Sequence, residues 1–287
     1  MRINFKYFIV SIGSIFLALG VGILIGSNIF TNETTEKQNA AIVKDIDNKF
    51  KILKEKDEKI VAENERLQED LNSTIKYIES NKELLTAGKL SGKTVGILSF
   101  NEKESTEDIE SIVSNSGGKI GFNIVVNETV LDNDSVKKVN DKLHLKLTKK
   151  KELLDLITDS IKNSNSDGYL TTFQDLGLIK INAFSNSYES VENVIIFNNS
   201  NTKLSKKVDE LEIPISESLK ENKNMIAVQT TASEAENIKK FSKIASTLNN
   251  IDEPIGQVSL VMLVSNSDLK GDFGKIEEGV NIIPLIK

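Results

Sequence analysis

Cysteine is absent from the 287 residues of this chain, and histidine is nearly so. Disulfides, thiolate catalysis and cysteine-based metal sites are therefore excluded. The one histidine is His144, and the two internal methionines are Met225 and Met262. Because Cu(I) prefers thiolate or thioether and other transition metals prefer imidazole, we expect no metal or cofactor site. We expect His144 on the surface or on an edge strand, and Met262 in the core.

Basic patches are also missing. The chain has 36 basic and 42 acidic residues, a net charge of −6, so we expect no nucleic-acid partner. No nucleophile-elbow motif is present, and a catalytic triad would have to use the lone histidine. Gly88 and Gly92 are one residue too close for a phosphate-binding loop. The sequence therefore indicates no catalytic residue and predicts a protein that is not an enzyme.

Charge is absent from residues 8–30. About 20 apolar residues span a bilayer, whereas the apolar part of a secretory signal has about 7–15 and ends at a small-residue cleavage site. The run here ends in a poor cleavage site, so we predict a transmembrane helix at 8–30, with a cleaved signal as the alternative. Arg2 and Lys6 precede it, which predicts a cytoplasmic tail at 1–7 and an extracytoplasmic remainder.

Small residues recur at every fourth position of this helix, at Ser14, Ala18, Gly22 and Gly26. They share one face, and Gly22-x-x-x-Gly26 is the close-packing pattern of membrane helix pairs. Glycine is also frequent in membrane helices in general. The pattern predicts a helix-pairing face, provided that the following segment pairs as well.

Proline and glycine are both absent between residues 31 and 87. Seam positions there alternate in spacings of three and four, which is the heptad pattern of a coiled coil. The seam consists of Val43, Ile46, Phe50, Leu53, Asp57, Ile60, Asn64, Leu67, Leu71, Thr74 and Ile78. We predict a coiled-coil stalk at 37–87 that carries this seam over about 60 Å and ends at Gly88.

A parallel homodimer is the arrangement that the seam favours. Asn64 occupies an a position, where a single asparagine fixes register and favours two parallel strands. Asp57 at another a position weakens the coil, as does the approach of Lys49 to Lys54 of the partner helix. A parallel pair agrees with a small-residue membrane face, since both place two N-termini side by side. A lone amphipathic helix lying on the folded body is the alternative.

After Gly88, short apolar runs alternate with amphipathic segments, while the stretches 127–147 and 173–190 carry no clear pattern. Strands are predicted at 94–100, 119–126, 168–172, 191–197, 224–230, 257–264 and 281–284. Helices are predicted at 105–116, 148–162 and 233–248. The alternation predicts an α/β domain at 91–287, with a mainly parallel sheet covered by helices on both faces.

Both ends of the chain resemble the MctB-type copper transporter family. Residues 1–27 and 250–284 carry the resemblance, and the order of anchor, coil and α/β body agrees with it. The family-like C-terminal motif comprises Asp252, Gly256, Gly271, Asp272, Phe273, Gly274 and Pro284. Many members carry Gly-His-Tyr-Gly where this chain has Gly271-Asp272-Phe273-Gly274, so copper is a partner that the ligands here do not support.

The resemblance implies two functions. The family name implies copper transport through an outer-membrane channel, which would need eight or more alternating strands instead of a helical anchor. Members that pair with a SteA-like protein imply a role in cell separation through a peptidoglycan hydrolase. We expect a non-enzymatic envelope scaffold that acts through such a partner. Copper homeostasis is one alternative, and a small ligand bound by the loops after residues 100 and 230, at the carboxyl ends of the strands, is another.

Overall fold

A computed structural model describes residues 5–30, 33–185, 187–275 and 281–284. Residues 1–4 of the predicted cytoplasmic tail lie outside the described residues. The chain divides into two compact units, Met1–Leu71 and Asn72–Lys287, and the second is called the body below.

The first unit is helical. It contains α1 (Phe5–Phe30) and most of α2 (Glu33–Thr86). Within α1, Lys6–Ser27 has a mean hydropathy of 2.6 and is the one helix of the described residues that is long and apolar enough to cross a membrane. The long α2 agrees with the absence of proline and glycine, the two residues that most disfavour a helix interior.

The body begins with the last turns of α2 and continues as an α/β fold. Its strands are β1 (Thr94–Ser99), β2 (Lys119–Val126), β3 (Ile179–Phe184), β4 (Asn193–Phe197), β5 (Asn224–Val228), β6 (Ser246–Leu248) and β7 (Asp272–Phe273). Its further helices are α3 (Glu107–Asn115), α4 (Ser135–Leu143), α5 (Lys150–Lys162), α6 (Tyr169–Asp175), α7 (Ser205–Lys207), α8 (Ile213–Leu219), α9 (Ala235–Lys239) and α10 (Pro254–Ser265). A π-helical turn, Val208–Glu212, joins α7 to α8.

The strands form a seven-stranded sheet in the order β3-β2-β1-β4-β5-β6-β7. Every neighbouring pair is parallel except β2 and β3. The predicted α/β fold with a mainly parallel sheet is therefore confirmed. Because β2 lies on one side of β1 and β4 on the other, the strand order reverses between β1 and β4, which is where open α/β sheets commonly bind ligands.

Each face of the sheet buries its own apolar core, as the near-continuous apolar strands require. Leu98, Phe122 and Ile196 belong to the first core, with residues of α5 and α8. Ile97 and Ile195 belong to the second, with residues of α3 and α10. Alternate residues of one strand thus enter opposite cores, so helices are needed on both faces.

Several predicted elements are confirmed. The predicted strands at 94–100, 119–126, 191–197 and 224–230 are β1, β2, β4 and β5, and the predicted helices at 105–116 and 148–162 are α3 and α5. The strands are short apolar runs between turn signals, and the helices have an apolar face at helical spacing.

The predicted strand at 257–264 is wrong, because this segment forms α10. Leu260, Val261, Leu263 and Val264 are all buried, so the helix is apolar on most sides and lacks the amphipathic pattern. A short apolar run cannot be assigned to strand or helix by periodicity alone. Pro254 in the first turn of α10 is the signal that favours a helix.

Three other segments also differ from the prediction. Residues 168–172 lie in α6 instead of a strand, and the helix predicted at 233–248 breaks into α9, a 3₁₀ turn (Lys240–Lys243) and β6. The unassigned stretches contain α4 and the antiparallel β3. Of the strand predicted at 281–284, Asn281 forms an isolated bridge with Phe273.

Candidate functional site

The small residues of α1 lie on an open surface of the described chain. Ser14, Ala18, Gly22 and Gly26 are exposed, and a Cβ added at either glycine would meet nothing within 4 Å. Ser14 Oγ donates to the carbonyl oxygen of Ser11 at 2.9 Å, so its hydroxyl is satisfied within the helix. The face is bare enough for the close approach of a second helix.

The seam of α2 is an exposed apolar stripe in the single chain. Val43 is 56%, Phe50 69%, Leu53 62% and Leu67 52% exposed. Exposed large apolar side chains at heptad spacing are typical of a helix surface that can pack against another helix. Asp57, Asn64 and Thr74 are exposed as well.

The end of α2 differs from the rest of the predicted stalk because it packs within the body. Ile78 is half-buried and Thr86 is buried. Lys82 Nζ donates to Gln257 Oε1 of α10 at 2.7 Å. Gly88, at a φ of +69°, lies in the left-handed conformation that commonly ends a helix. The last turns of α2 are thus fixed to the folded body.

The first part of the C-terminal motif shapes the start of α10. Asp252 accepts hydrogen bonds from Thr231 N at 2.8 Å and from Thr231 Oγ1 at 2.6 Å. Gly256 lies so close to the backbone carbonyl of Asn250 that a Cβ could not be added without a shift. These residues join the loop after β5 to the loop after β6.

The second part of the motif forms the far edge of the sheet. Asp272 Oδ1 accepts from Ser242 Oγ at 2.8 Å and from Thr247 Oγ1 at 2.6 Å. Phe273 is buried in the second core and Pro284 is buried as well. Gly271 and Gly274 have φ of +143° and +99°. Gly271, Asp272, Phe273 and Gly274 thus belong to this edge of the sheet, whereas Asp252 and Gly256 lie at the start of α10.

The loops after residues 100 and 230 meet at the carboxyl edge of the sheet, where sequence analysis placed them. Asn199 N donates to Glu104 Oε2 at 3.1 Å, and Thr230 and Ser233 donate to Asn199 Oδ1. Burial raises the pKa of Glu104, and its hydrogen bonds partly offset this. The chain's own side chains therefore occupy the crevice beside the switch point.

A cavity of about 560 Å³ opens next to this network. Glu102, Glu107 and Glu110 line it together with Lys103 and Lys180. Its charges are mixed, and Ser105 and Thr106 contribute hydroxyl groups to its lining.

A buried carboxylate lies beneath the crevice, at the end of the π-helical turn. Glu212 is 1% exposed, accepts from Asn198 Nδ2 at 2.5 Å and lies 3.7 Å from Lys207 Nζ. Burial raises the pKa of Glu212 to about 7, although Lys207 and Asn198 lower it. Single π turns often mark functional sites. Sequence analysis missed this cluster, because a glutamate in a charged helical segment has the pattern of a solvated face.

Four residues of the body, Ser99, Ser216, Gln229 and Asn250, have buried side-chain polar atoms without a hydrogen-bond partner among the described residues. The side-chain amide of Gln229 and the hydroxyl of Ser216 have no hydrogen-bond partner within the described residues. Ser216 lies one turn after Glu212 in α8, and Gln229 directly follows β5. No pattern in the sequence identified either residue.

The side chains of the described residues that could bind copper lie apart from one another. His144 is exposed at the end of α4, so its predicted surface position is confirmed, while its alternative position on an edge strand is wrong. Met225 lies in the first core, whereas Met262, which was expected in the core, is half-buried on α10 at the other face of the sheet. Among the described residues no three histidine, aspartate or glutamate side chains lie close enough to hold a metal ion.

One comparison with known proteins identifies a relative of the whole chain. A family model described as "Copper transport outer membrane protein, MctB" matches residues 2–284. No curated protein matches the chain.

Proposed function

We propose that this chain, which belongs to the MctB family, is a membrane-anchored, non-enzymatic scaffold of the cell envelope that acts as a parallel homodimer. In this proposal α1 anchors the chain, α2 pairs two copies, and the body outside the cytoplasm contacts a protein partner. The family is associated with membranes, and the apolar span of α1 agrees with that.

The exposed seam of α2 is the observation that carries the proposal. Isolated helices are marginal in water, and their stability in proteins comes mainly from packing an apolar face. The apolar seam residues from Val43 to Leu71 are about half exposed or more, so the single chain leaves this face unpacked. A second copy of α2 would supply the matching face, because a heptad seam is complementary to itself.

Register and direction follow from two other features. Asn64 at an a position favours two parallel strands in one register. The bare small-residue face around Gly22 and Gly26 permits the two anchors to approach. Lys6 before the span supports a cytoplasmic N-terminus, and hence a body on the other side of the membrane.

The partner class comes from the resemblance and from the chemistry of the body. The resemblance implies a SteA-like protein or a peptidoglycan hydrolase. The described hydrogen bonds at the carboxyl edge of the sheet join its loops to one another, through Asn199 and through Asp252. This supports a body that binds a protein instead of turning over a substrate.

Capture of partners from membranes tests the proposal, using the full chain, Leu67→Asp and Ala62→Asp. Leu67 lies in the seam, whereas Ala62 lies on the outer face of the preceding heptad, so both variants add the same charge. We expect the wild type and Ala62→Asp to capture a wall hydrolase or its regulator, and Leu67→Asp to lose dimer and capture together. Equal capture by the three proteins, or none by the wild type, would contradict the proposal.

Copper transport is the second candidate, favoured by the description of the family. The donor groups present do not fit a copper site, since the histidine is exposed and alone and the methionines lie on opposite faces of the sheet. We therefore expect no tight Cu(I) or Cu(II) binding when the purified full chain is titrated by calorimetry. A saturable copper heat that survives His144→Ala would favour this second function.

A further inference from the structure

The body has a cavity of about 840 Å³ at the amino-terminal edge of its sheet. Lys93 precedes β1, Asn193 begins β4 and Asn224 begins β5, so three parallel strands start at this edge. The volume lies within the range of ligand pockets, about 300–1,000 Å³. The proposed scaffold function makes no use of this cavity.

A buried amide pair lies at the cavity wall. Asn224 Nδ2 donates to Asn193 Oδ1 at 2.8 Å and to the Leu263 carbonyl at 2.9 Å. Asn224 Oδ1 accepts a hydrogen bond from Lys270 Nζ. Since both asparagines are buried, they hold the ammonium group of Lys270 in a defined position at the rim.

Lys223 is held in a similar way by neutral groups. Its Nζ donates to the carbonyl oxygens of Tyr188 at 3.1 Å and Glu189 at 3.5 Å, and it lies 4.6 Å from the centroid of the Tyr188 ring. In the described part of the chain, neither Lys223 nor Lys270 forms an ion pair. An ammonium group that is bonded only to neutral acceptors keeps its charge available to an anion.

The surroundings of both lysines disfavour the protonated, charged form of the side chain. Burial lowers the pKa of Lys223, although Glu189 and Glu192 act in the opposite direction. Burial also lowers the pKa of Lys270, and the positive charge of Lys220 lowers it further, against a smaller effect of Asp268. An anion bound between them would relieve both effects.

A smaller cavity of about 230 Å³ shares Lys223 and Lys270 with the first and adds Lys220 and Lys243. Its acidic lining residue is Asp272, whose Oδ1 already accepts from Ser242 and Thr247 hydroxyls. Four lysines thus surround a space with one carboxylate, in a chain whose net charge is −6. This local excess of positive charge contrasts with the net negative charge of the whole chain.

The larger cavity has a different character. Glu189, Glu192 and Glu221 balance most of its lysines, and Lys93 pairs with Glu192 at 2.5 Å. Val191 and Val264 also line it and supply apolar surface. A ligand that spans both cavities would therefore place its negative group in the smaller one and its neutral part in the larger one.

We propose that Lys220, Lys223 and Lys270 bind the phosphate group of a phosphorylated ligand. Phosphate carries up to two negative charges and several acceptor oxygens, which suits ammonium donors that line one cavity. A small soluble phosphate ester and a phospholipid head group share this chemistry. The site is contained within the body and does not depend on the pairing of α2.

Calorimetric titration of the full chain in a neutral detergent tests the proposal. The probes are inorganic phosphate, glycerol 3-phosphate and a short-chain phosphatidylglycerol below its micelle concentration, with sodium chloride as the ionic-strength control. The variants are Lys220→Gln, the double variant Lys220→Gln/Lys270→Gln, and Lys146→Gln as the charge-matched control, since Lys146 is exposed and lines neither cavity. Melting curves without probe show whether each variant is folded.

We expect saturable phosphate-ester binding by the wild type and Lys146→Gln, and at least tenfold weaker binding by the double variant. Lys220→Gln removes an exposed side chain, so it should fold normally and weaken binding by a smaller factor. Glycerol 3-phosphate as the tightest probe would indicate a soluble ester, and the short-chain lipid as the tightest would indicate a lipid head group. Absence of binding by every probe, or equal binding by the folded double variant, would overturn the proposal while leaving the scaffold function untouched.

Discussion

At the residue scale, Glu212 is the group whose protonation should affect stability most. Its ordinary pKa is 4.5, and burial raises the pKa in the folded chain to about 7. The folded state therefore binds a proton more tightly than the unfolded state between these two values. The stability that this group contributes is fully present below about pH 4.5 and is lost as the pH rises through about 7.

We predict that Glu212→Gln reduces this loss of stability. The contribution of Glu212 across the pH window is about 3 kcal/mol, so the free energy of unfolding of the variant should fall less between about pH 5 and about pH 7.5. Denaturant unfolding of the full chain at both pH values provides the measurement. Glu217→Gln, an exposed position of the same helix, should keep the wild-type dependence. Parallel pH profiles for the wild type and Glu212→Gln would contradict the assignment.

Gly256 allows a second test at this scale. Alanine normally stabilises an open helical position by about 0.5–1 kcal/mol relative to glycine. Here a Cβ would strike the carbonyl group of Asn250, so we predict that Gly256→Ala destabilises the body by about 1–3 kcal/mol. Gln257→Ala, one residue further along α10, loses one hydrogen bond with Lys82 and should cost about 1 kcal/mol or less. A Gly256→Ala variant more stable than the wild type would show that the contact is absent.

At the scale of single elements, the sequence could predict some strands and helices and could not predict others. β1, β2, β4 and β5 were predictable because each is a short apolar run between turn signals. α10 was not, because burial on most sides removes the amphipathic pattern. β3 was missed because it is an antiparallel edge strand with a partly exposed, mixed sequence.

The candidate sites also divide into those that the sequence could predict and those that it could not. The seam and the small-residue face are periodic within one helix, so the sequence contains the whole pattern. The Glu212 cluster and the lysine site join residues from separate elements, such as Lys220 after α8 and Lys270 after α10. Only the sheet topology brings such residues together, and no local spacing encodes it.

Asn64 provides a test of α2 as an element. A polar residue at an a position specifies register at a cost in stability. We predict that Asn64→Leu raises the melting temperature of the dimer and permits higher oligomers, whereas Ala62→Leu on the outer face does neither. Circular dichroism and the mass of the detergent-solubilised full chain provide the two measurements. Identical melting curves for Asn64→Leu and the wild type would show that Asn64 is not at a packed position.

At the scale of the whole molecule, three parts with different properties follow one another along the chain. α1 has the length and apolarity to cross a membrane, α2 carries an exposed apolar seam, and the body contains the sheet and its cavities. The family model matches residues 2–284, which is nearly the whole length of these three parts. The central claim is that two chains pair in parallel and in register through the seam.

Cysteine cross-linking in native membranes tests that claim most directly, because the chain has no cysteine of its own. In a parallel, in-register pair, Leu67 of one chain lies beside Leu67 of the other, whereas the two Ala62 side chains point apart. We predict that Leu67→Cys forms a disulfide-linked dimer under mild oxidation and that Ala62→Cys does not. Monomer for both variants, or equal cross-linking of both, would contradict the account.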